Sequence, residues 1–334
     1  MKIAVDAMGG DYAPSAPVMG SLQAINAISN IEVVLVGDHD RIISLIKDTP
    51  RHTRLHIHHA ADVIDMGEAP VQAVRRKPDS SLVQAMRLVK AGEADAVISA
   101  GNTGALMAAG LFILGRMTGI ERPALSALLP SMKGWGMLLL DVGANLDPKP
   151  SQLVQYGIMG SYYCQEVYNI KNPRVGLLNV GEEPRKGPPL IRETYERMER
   201  SGLNFVGNIE SRELMQGRAD VVVADGFSGN IALKLTEGVG RDLIAEIKAI
   251  LLQNWKTKIA AYLLKDGLTA LKRRMDYQEY GGAPLLGLDQ IVYKVHGSSQ
   301  DKAFYSAIQV AHSFCQKNTQ TRLRERVREE EAHR

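Results

Sequence analysis

Four short glycine-rich turns constrain this chain more than any other feature, because each follows an apolar run typical of a β-strand. Turns 1 to 4, in chain order, are residues 5–11 (VDAMGGD), 98–104 (ISAGNTG), 140–145 (LDVGAN) and 223–230 (VADGFSGN). In an open α/β sheet, ligands bind beyond the carboxyl ends of the strands. Glycine lets the backbone approach a ligand closely, and free amides at a helix start favour an anion. The turns therefore predict one crevice that binds a phosphate-type anion.

Strand-like and helix-like segments alternate around these turns. Strands are predicted at 2–6, 31–36 and 94–99, and helices at 15–28, 103–116 and 150–167. Such alternation predicts right-handed crossovers and a mainly parallel sheet. We therefore expect an α/β protein, a three-layer α/β/α sandwich, in which residues 1–334 form a single domain.

Composition narrows the class of protein. The chain has 334 residues, 45% of them hydrophobic and 5% aromatic, which is typical of a globular α/β enzyme with many tight turns. Its only cysteines, Cys164 and Cys315, form no disulfide framework, which predicts a reducing cytoplasm. Asp6 and Asp11 interrupt the first apolar stretch, so we expect no signal peptide. A net charge of +3 is too small to indicate a nucleic-acid partner.

Candidate phosphate- or substrate-binding residues lie in all four turns. They are Gly9, Gly10, Asp11, Gly101, Asn102, Thr103, Asp141, Asn145, Asp225, Gly226, Ser228 and Gly229. Their backbone amides, side-chain amides and hydroxyls suit an oxyanion or a phosphate. An ionised Asp11 facing inward would repel phosphate, so we expect it to orient donors or to cap a helix. Ordinary tight turns, with Asn102, Thr103 or Ser228 as helix N-caps, are the alternative interpretation.

Further polar candidates follow two other strand-like runs. Asn179 begins a polar loop that carries Lys186, whose ammonium could neutralise phosphate or a developing oxyanion. His296 precedes Gly297-Ser298-Ser299 and could move a proton or donate to an anion. The alternatives are an exposed loop lysine and a structural histidine. His56, His58 and His59 lack a second ligand group, so we predict strand-surface histidines and no metal site.

Ser228 allows a different chemistry. Residues 226–230 (GFSGN) resemble a nucleophile elbow with asparagine in the final position. A catalytic triad would then require His296 and either Asp225 or Asp141. A single near-match in a chain with 31 glycines is weak support for this alternative.

Residues 245–275 are predicted to form a basic amphipathic helical hairpin that turns at Gly267. Within it, residues 248–274 contain seven lysines and arginines against one aspartate, a net charge of +6, whereas the rest of the chain carries −3. Such a surface suits an anionic membrane or an acidic protein. Burial in the core or in a dimer interface is the alternative. The contact candidates are Leu252, Trp255, Ile259, Leu263, Arg273 and Arg274.

The ordered set of these motifs resembles the bacterial phosphate acyltransferase family of phospholipid synthesis. The resemblance covers almost the whole chain and includes SAGNTGAL (99–106), LDVGAN (140–145), GLLNVG (176–181), DVVVADGFSGN (220–230), YGGA (280–283) and HGSS (296–299). Members convert fatty acyl-acyl carrier protein and inorganic phosphate into acyl phosphate. One departure is Pro188-Pro189, where relatives usually have polar residues after Lys-Gly.

The resemblance carries further expectations. It implies the fold of phosphotransacetylases and isopropylmalate-type dehydrogenases, a homodimer, and no cofactor. It points to Lys186 and Asn230 as active-site residues and to the 245–275 hairpin as a membrane-facing tip. The implied partners are acyl carrier protein, phosphate and the membrane glycerol-3-phosphate acyltransferase. The implied location is the cytoplasm, at the inner face of the cell membrane.

Two rival functions remain open at this stage. A nicotinamide-dependent hydroxyacid dehydrogenase could use a similar fold, but it would need a metal-binding carboxylate set and an adenosine site, and neither is evident. A non-catalytic membrane-binding scaffold would bind lipid without turnover. Polar groups concentrated at the ends of strands favour a catalytic function over a scaffold.

Overall fold

Strands and helices alternate through most of the computed structural model, which describes residues 1–47, 52–132, 135–275, 282–317 and 319–332. The strands are β1 (Lys2–Asp6), β2 (Glu32–Gly37), β3 (Leu55–His59), β4 (Ala96–Ser99), β5 (Ala124–Leu129), β6 (Met137–Leu140), β7 (Val175–Asn179), β8 (Phe205–Glu210), β9 (Val221–Val223), β10 (Ala283–Leu286) and β11 (Ile291–Lys294). The helices are α1 (Ser15–Ala27), α2 (His39–Ile46), α3 (Pro70–Arg76), α4 (Ser81–Lys90), α5 (Thr103–Ala109), α6 (Pro150–Tyr168), α7 (Pro189–Glu199), α8 (Gly226–Leu252), α9 (Trp255–Leu263), α10 (Lys265–Met275), α11 (Asp301–Gln316) and α12 (Thr319–Ala332).

The strands form one sheet in the order β3-β2-β1-β4-β11-β10-β5-β6-β9-β7-β8. Pairing is parallel within β3-β2-β1-β4-β11 and within β6-β9-β7-β8. It is antiparallel at the three central junctions that β10 and β5 make. The mainly parallel sheet is confirmed. However, the two parallel halves run in opposite directions, so their carboxyl ends do not share one edge as a single parallel sheet would require.

Two apolar cores cover the two faces of this sheet. In β2, Val33 and Leu35 join one core while Val34 and Val36 join the other, because successive side chains point to opposite faces. Helices α1, α6 and α11 contribute to the first core, and α3, α4 and α5 to the second. Fully burying each such valine or leucine contributes about 1.5–3 kcal/mol. The predicted three-layer sandwich follows from this alternation.

Two helices depart from the expected bounds. The segment expected as one helix over 103–116 is α5 followed by a π-helical turn, Gly110–Leu114, which ends at Gly115 with a φ of +89°. A long helix is predicted to start at about residues 228–230, and α8 begins two to four residues earlier, at Gly226. Pro189 stands at the start of α7, where its missing N–H costs no hydrogen bond.

The hairpin expected over 245–275 begins as a continuation of α8. Asn254 caps α9, since its Oδ1 accepts hydrogen bonds from the amides of Lys256 and Thr257 at 3.0 and 3.1 Å. The prediction that Gly267 makes the turn is wrong. The chain leaves α9 at Leu264, and Gly267 lies inside α10. Helices α9 and α10 meet at Leu264, whose φ of −92° and ψ of 2° end α9 without a glycine.

The exposure of this hairpin agrees with a projecting element. Helix α9 has no buried residue, and the exposed fractions of Trp255 and Leu263 are 68% and 77%. The side chains of Arg273 and Arg274 lie outside the described residues. Within the described part of the chain, no helix is both long and apolar enough to cross a membrane.

Candidate active site

Turns 1 and 2 pack directly against each other. A Cβ on Gly9 would lie 2.5 Å from Oδ2 of Asp6 and 2.7 Å from the amide nitrogen of Gly101, so only glycine fits. The buried Asp6 carboxylate accepts hydrogen bonds from the hydroxyls of Ser81 and Ser99, each at 2.6 Å. Burial raises the pKa of Asp6, and these bonds oppose the rise. Asp6, at the end of β1, therefore joins turn 1 to turn 2 through its hydrogen bond with Ser99.

The segment that follows β11 joins the same group. The amide of Asp11 donates to the carbonyl of Gly297 at 2.8 Å. Gly10 has a φ of +99°, and a Cβ there would lie 2.9 Å from the Cβ of Ala100. The backbone thus brings Asp11, Gly101 and His296 to one side of the molecule.

Turns 3 and 4 form a second packed pair. The buried Asp141 carboxylate accepts from the amides of Leu125, Ala144 and Asn145 at 2.7–3.1 Å and from Nδ2 of Asn145 at 2.9 Å. Burial raises the pKa of Asp141. The amide of Gly226 donates to the carbonyl of Asn145 at 2.8 Å. The polar atoms of Asp141 and Asn145 that were expected to bind phosphate therefore hold the backbone of turn 3 in shape.

A cavity of about 480 Å³ lies between the two pairs of turns. Its lining includes residues from both pairs, from the 296–298 segment, from β5, and from the start of β10. The polar and glycine members of the lining are Asp11, Thr103, Ser126, Gly143, Asn230, Lys234, Glu237, Gly282, Lys294, His296, Gly297 and Ser298. Turns from opposite halves of the sheet therefore meet across its central antiparallel strands. The single crevice is confirmed, although its place at one edge of the sheet is wrong.

Three basic side chains line this cavity. Lys294 is 7% exposed, and its Nζ donates to the carbonyls of Ala100, at 3.1 Å, and Val295. Burial lowers the pKa of Lys294 to about 8. Lys234 Nζ lies 2.8 Å from Oε2 of Glu237 and 3.2 Å from Nε2 of His296. The pKa of His296 is lowered mainly by burial and also by the nearby positive charge of Lys234. Asp11 and Glu237 also line the cavity, so its two lysines lie beside two carboxylates. The lysines make this end a candidate site for a small anion.

Helix capping accounts for two candidate side chains. Oδ1 of Asp225 accepts from the amides of Phe227 and Ser228 at 3.0 and 2.8 Å, and Oδ1 of Asn102 accepts from the amide of Ala105 at 3.0 Å. Each such cap contributes about 1 kcal/mol to stability. The N-cap interpretation is therefore right for Asn102 and wrong for Ser228, whose amide is capped by Asp225, a residue predicted to bind phosphate or substrate.

The nucleophile elbow at Ser228 finds no support in this geometry. Among the described residues, His296 contacts Oγ of Ser298 through Nδ1 at 2.9 Å and Nζ of Lys234 through Nε2. Ser228 is not among the described residues that line the cavity. The alternative nucleophile Cys164 is fully buried, and burial raises its pKa far above the ordinary value.

Lys186 and Asn179 lie beside the cavity rather than in its described lining. Nζ of Lys186 pairs with Oε2 of Glu183 at 3.0 Å, and Nδ2 of Asn179 donates to the carbonyl of Lys186 at 3.0 Å. Strand β7 is parallel to β9 and β6, so this loop follows the same edge as turns 3 and 4. Two strand spacings separate β7 from β6, about 10 Å.

Sequence reasoning missed Lys294, Lys234 and Glu237. Lys294 ends the apolar run IVYK, and a lysine closing a buried strand at a glycine-rich segment is a detectable signal. Lys234 and Glu237 follow Asn230 by one and two helical turns, on the same face of α8.

Comparisons with known proteins agree with this architecture. The phosphotransacetylases of Streptococcus pyogenes and Staphylococcus aureus superpose with TM-scores of 0.62 and 0.60, at 18% and 15% identity, over 94% of both chains. A 4-hydroxythreonine-4-phosphate dehydrogenase from Klebsiella pneumoniae gives 0.52 at 14% identity, over 93% of this chain and 98% of that one. These similarities confirm the predicted fold.

Sequence relatives are much closer. The phosphate acyltransferase of Bacillus pumilus is 52% identical over 330 residues, 99% of this chain and 98% of that protein. The phosphate acyltransferase of Bacillus licheniformis is 49% identical, over 98% and 99% of the two chains. The family described as "Fatty acid synthesis protein" matches residues 1–322. With nearly the full length covered by both findings, the chain belongs to that fatty acid synthesis family.

Proposed function

We propose that the chain is a phosphate acyltransferase, which moves an acyl group from a thioester on acyl carrier protein to inorganic phosphate. Family membership and relatives about half identical in sequence support acyl transfer. The observation that carries the assignment to this site is the cavity itself, where turns from both halves of the sheet surround three basic side chains. Preorganised donors of this kind stabilise developing negative charge.

The mechanism follows from the lining. Lys294, Lys234 and His296 hold phosphate, and a phosphate oxygen attacks the thioester carbonyl. The side-chain amide of Asn230 meets the tetrahedral oxyanion. The attack forms the carbon–oxygen bond of acyl phosphate, and collapse of the tetrahedral intermediate restores the carbonyl and breaks the carbon–sulfur bond. The thiolate leaves with the electron pair and takes a proton from solvent, while phosphate loses its remaining acidic proton to solvent.

Lys186 keeps a proposed role in this scheme. Its ammonium is 53% exposed and its partner Glu183 is 64% exposed, and such surface pairs contribute little energy. Little is therefore lost when the ammonium leaves Glu183 for a bound anion. Lys186 would neutralise the acyl-carrier side of the site once both substrates are present.

The direct test mixes purified protein with acyl-acyl carrier protein and labelled phosphate. Labelled acyl phosphate should form in step with free carrier thiol. Thioester loss without labelled acyl phosphate would exclude the function. An acyl group trapped on Ser228 or Cys164 would replace direct attack with a covalent route.

Lys294 should control the affinity for phosphate. We expect Lys294→Met to raise the KM for phosphate about 10- to 100-fold, because a hydrogen bond to a charged group contributes about 1.5–3 kcal/mol. The KM for the acyl carrier should change much less. The measurement is initial rate against phosphate concentration.

A matched control for Lys294 is Lys317→Met. Nζ of Lys317 also donates to a backbone carbonyl, that of Glu166 at 2.6 Å, at the end of α11. Lys317→Met removes an anchored ammonium outside the described cavity lining and should leave the KM for phosphate within twofold. An equal rise in both variants would exclude a phosphate-binding role for Lys294.

The proposed homodimer is supported by an exposed apolar stripe on α8. Its members recur every four residues and are each more than half exposed: Phe227, Ile231, Leu235, Val239 and Leu243. Residues four apart share a helix face, and an exposed face of this kind suits a second copy of the same helix. A dimer formed here would adjoin the cavity, since Asn230, Lys234 and Glu237 lie on the same helix.

The proposed membrane contact is the tip formed by α9 and α10, at the cytoplasmic face, where acyl phosphate would pass to a membrane glycerol-3-phosphate acyltransferase. Leu252, Trp255, Ile259 and Leu263 are each more than half exposed, and Nζ of Lys256 lies 5.7 Å from the centre of the Trp255 ring. Apolar tips with flanking lysines bind anionic lipid surfaces.

Substitutions that place negative charge on the tip should weaken this contact. We expect Ile259→Asp with Leu263→Asp to reduce sedimentation with phosphatidylglycerol vesicles at least tenfold, since both apolar anchors are lost. Arg273→Glu with Arg274→Glu should give a smaller loss that added salt reproduces in the unmodified protein. Undiminished sedimentation of both double variants would exclude the tip. Binding of acyl carrier protein, measured in parallel, separates a protein contact from a lipid contact.

A further inference from the structure

A second cavity, about 290 Å³, adjoins the first. Both are lined by Thr103, Leu125 and Gly143, so the two spaces meet at turns 2 and 3. This junction lies beside the proposed oxyanion donor, where a thioester carbonyl would react. Whatever occupies the second cavity is therefore attached to, or next to, the reacting carbonyl.

The lining of the second cavity is predominantly apolar. Its aliphatic and aromatic members are Val71, Met107, Ala108, Leu111, Phe112, Leu125, Ala144 and Leu285. Arg122 is the one charged residue among the described residues that line it, and the lysines of the first cavity are not among them. A small anion at the basic end and an apolar group at this end would each occupy a matching environment.

The cavity is elongated because it follows one helix face. Thr103 and Gly104, then Met107 and Ala108, then Leu111 and Phe112 recur at helical spacing along α5 and the π-helical turn. Nine residues of helix span about 13 Å. The end at Phe112 is open, since this side chain is 53% exposed. A chain-like apolar ligand fits this shape better than a compact one.

We propose that this groove holds the hydrocarbon chain of the acyl substrate, with the thioester carbonyl at the Thr103–Gly143 junction and Ala108 keeping the groove open. The inference rests on the proposed function and adds the place at which the protein distinguishes acyl chains of different length. Each CH2 buried in the groove should strengthen binding about fourfold. The open far end lets chains of several lengths bind.

Filling the groove tests this directly. Ala108→Leu places a branched side chain at the second helical turn, so carbons beyond that point lose their site. We expect the ratio of kcat/KM for palmitoyl- to butyryl-acyl carrier protein to fall at least tenfold. Leu111→Ala, which enlarges the groove one turn further, should raise the same ratio. Ala27→Leu, at an exposed position of α1 outside both described cavity linings, is the matched control and should leave the ratio within twofold.

The alternative occupant is the carrier's pantetheine arm, which is common to both substrates. In that case Ala108→Leu would lower both kcat/KM values equally, and the unchanged ratio would overturn the inference. If Ala108→Leu does not fold, the ratio for Leu111→Ala alone decides, and no change there overturns it. Failure of the unmodified protein to make acyl phosphate would instead refute the proposed function, so the two failures are distinguishable.

Discussion

Asn230→Ala should lower kcat about 10²- to 10³-fold, the cost of removing one preorganised donor from an oxyanion site. The Asn230 side chain lines the cavity in the first turn of α8, and its Cγ lies 3.7 Å from the position that a Cβ on Gly143 would take. The amide therefore faces the backbone of turn 3 across the proposed carbonyl position. Because this interaction strengthens only as charge develops, KM should change much less than kcat.

The position of Asn230 makes the result interpretable. Asn230 is exposed, so its replacement should change the free energy of unfolding by no more than about 0.5 kcal/mol. Asn204→Ala removes an amide that donates to the carbonyl of Asn172 at 3.0 Å, far along the chain from the cavity, and should leave kcat within twofold. Steady-state kinetics with both substrates measure the effect. A kcat for Asn230→Ala within threefold of the unmodified value would remove the proposed oxyanion role.

Much of the first half of the fold follows from local pattern. Strand β1 and the strands near residues 32–37 and 96–99 were predictable because each is a short apolar run bounded by turn residues. The turns were predictable as a ligand crevice because glycine recurs where strands end. Their pairing was not, since the contacts of Gly9 with Gly101 and of Asp141 with Gly229 join segments about 90 residues apart.

The sequence pattern could not predict that the two halves of the sheet run in opposite directions. These directions depend on the antiparallel pairing of β10 with β5, in which Leu285 pairs with Leu125 far along the chain. The other two antiparallel pairs, β5 with β6 and β10 with β11, join strands that are adjacent in sequence. Direction is set by nonlocal hydrogen bonding, and four-residue strands such as APLL carry no signal for it. For the same reason Lys294 escaped notice, because its burial depends on β4 and β10 lying on either side of β11.

Some candidate residues act within their own turn or helix, and others contribute to a site that several turns share. Asn102 and Asp225 cap their own helices, an assignment that local spacing supports. Asp141 and Asn145 looked like ligand-binding groups because polar side chains at a strand end are ambiguous. Their hydrogen bonds are spent within turn 3 and on Leu125, so they fix the backbone that the ligand would meet. The role of Lys186 remains a proposal that rests on the resemblance to the family, because Lys186 is not among the described residues that line the cavity.

Gly229→Ala should destabilise the protein by about 1–3 kcal/mol or more and lower activity at least 100-fold. A Cβ at this position would overlap the carbonyl oxygen of Asp141 and lie 3.2 Å from the Cβ of Ala224. The carbonyl cannot move freely, because the Asp141 carboxylate is held by Leu125, Ala144 and Asn145. Overpacking of a rigid contact costs this much. Helix α8 must then shift away from turn 3, and a displacement near 1 Å at a catalytic group costs about 10²-fold in rate.

Gly238→Ala, on the same helix, is the matched control with the opposite expected sign. No atom lies within 4 Å of the position that its Cβ would take, so alanine should stabilise the helix by about 0.5–1 kcal/mol. Urea unfolding gives the free energies, and acyl phosphate formation gives the activities. Equal unfolding free energies for the two variants would mean that turns 3 and 4 do not meet at Gly229. The cavity they are proposed to build with turns 1 and 2 would then lose one of its walls.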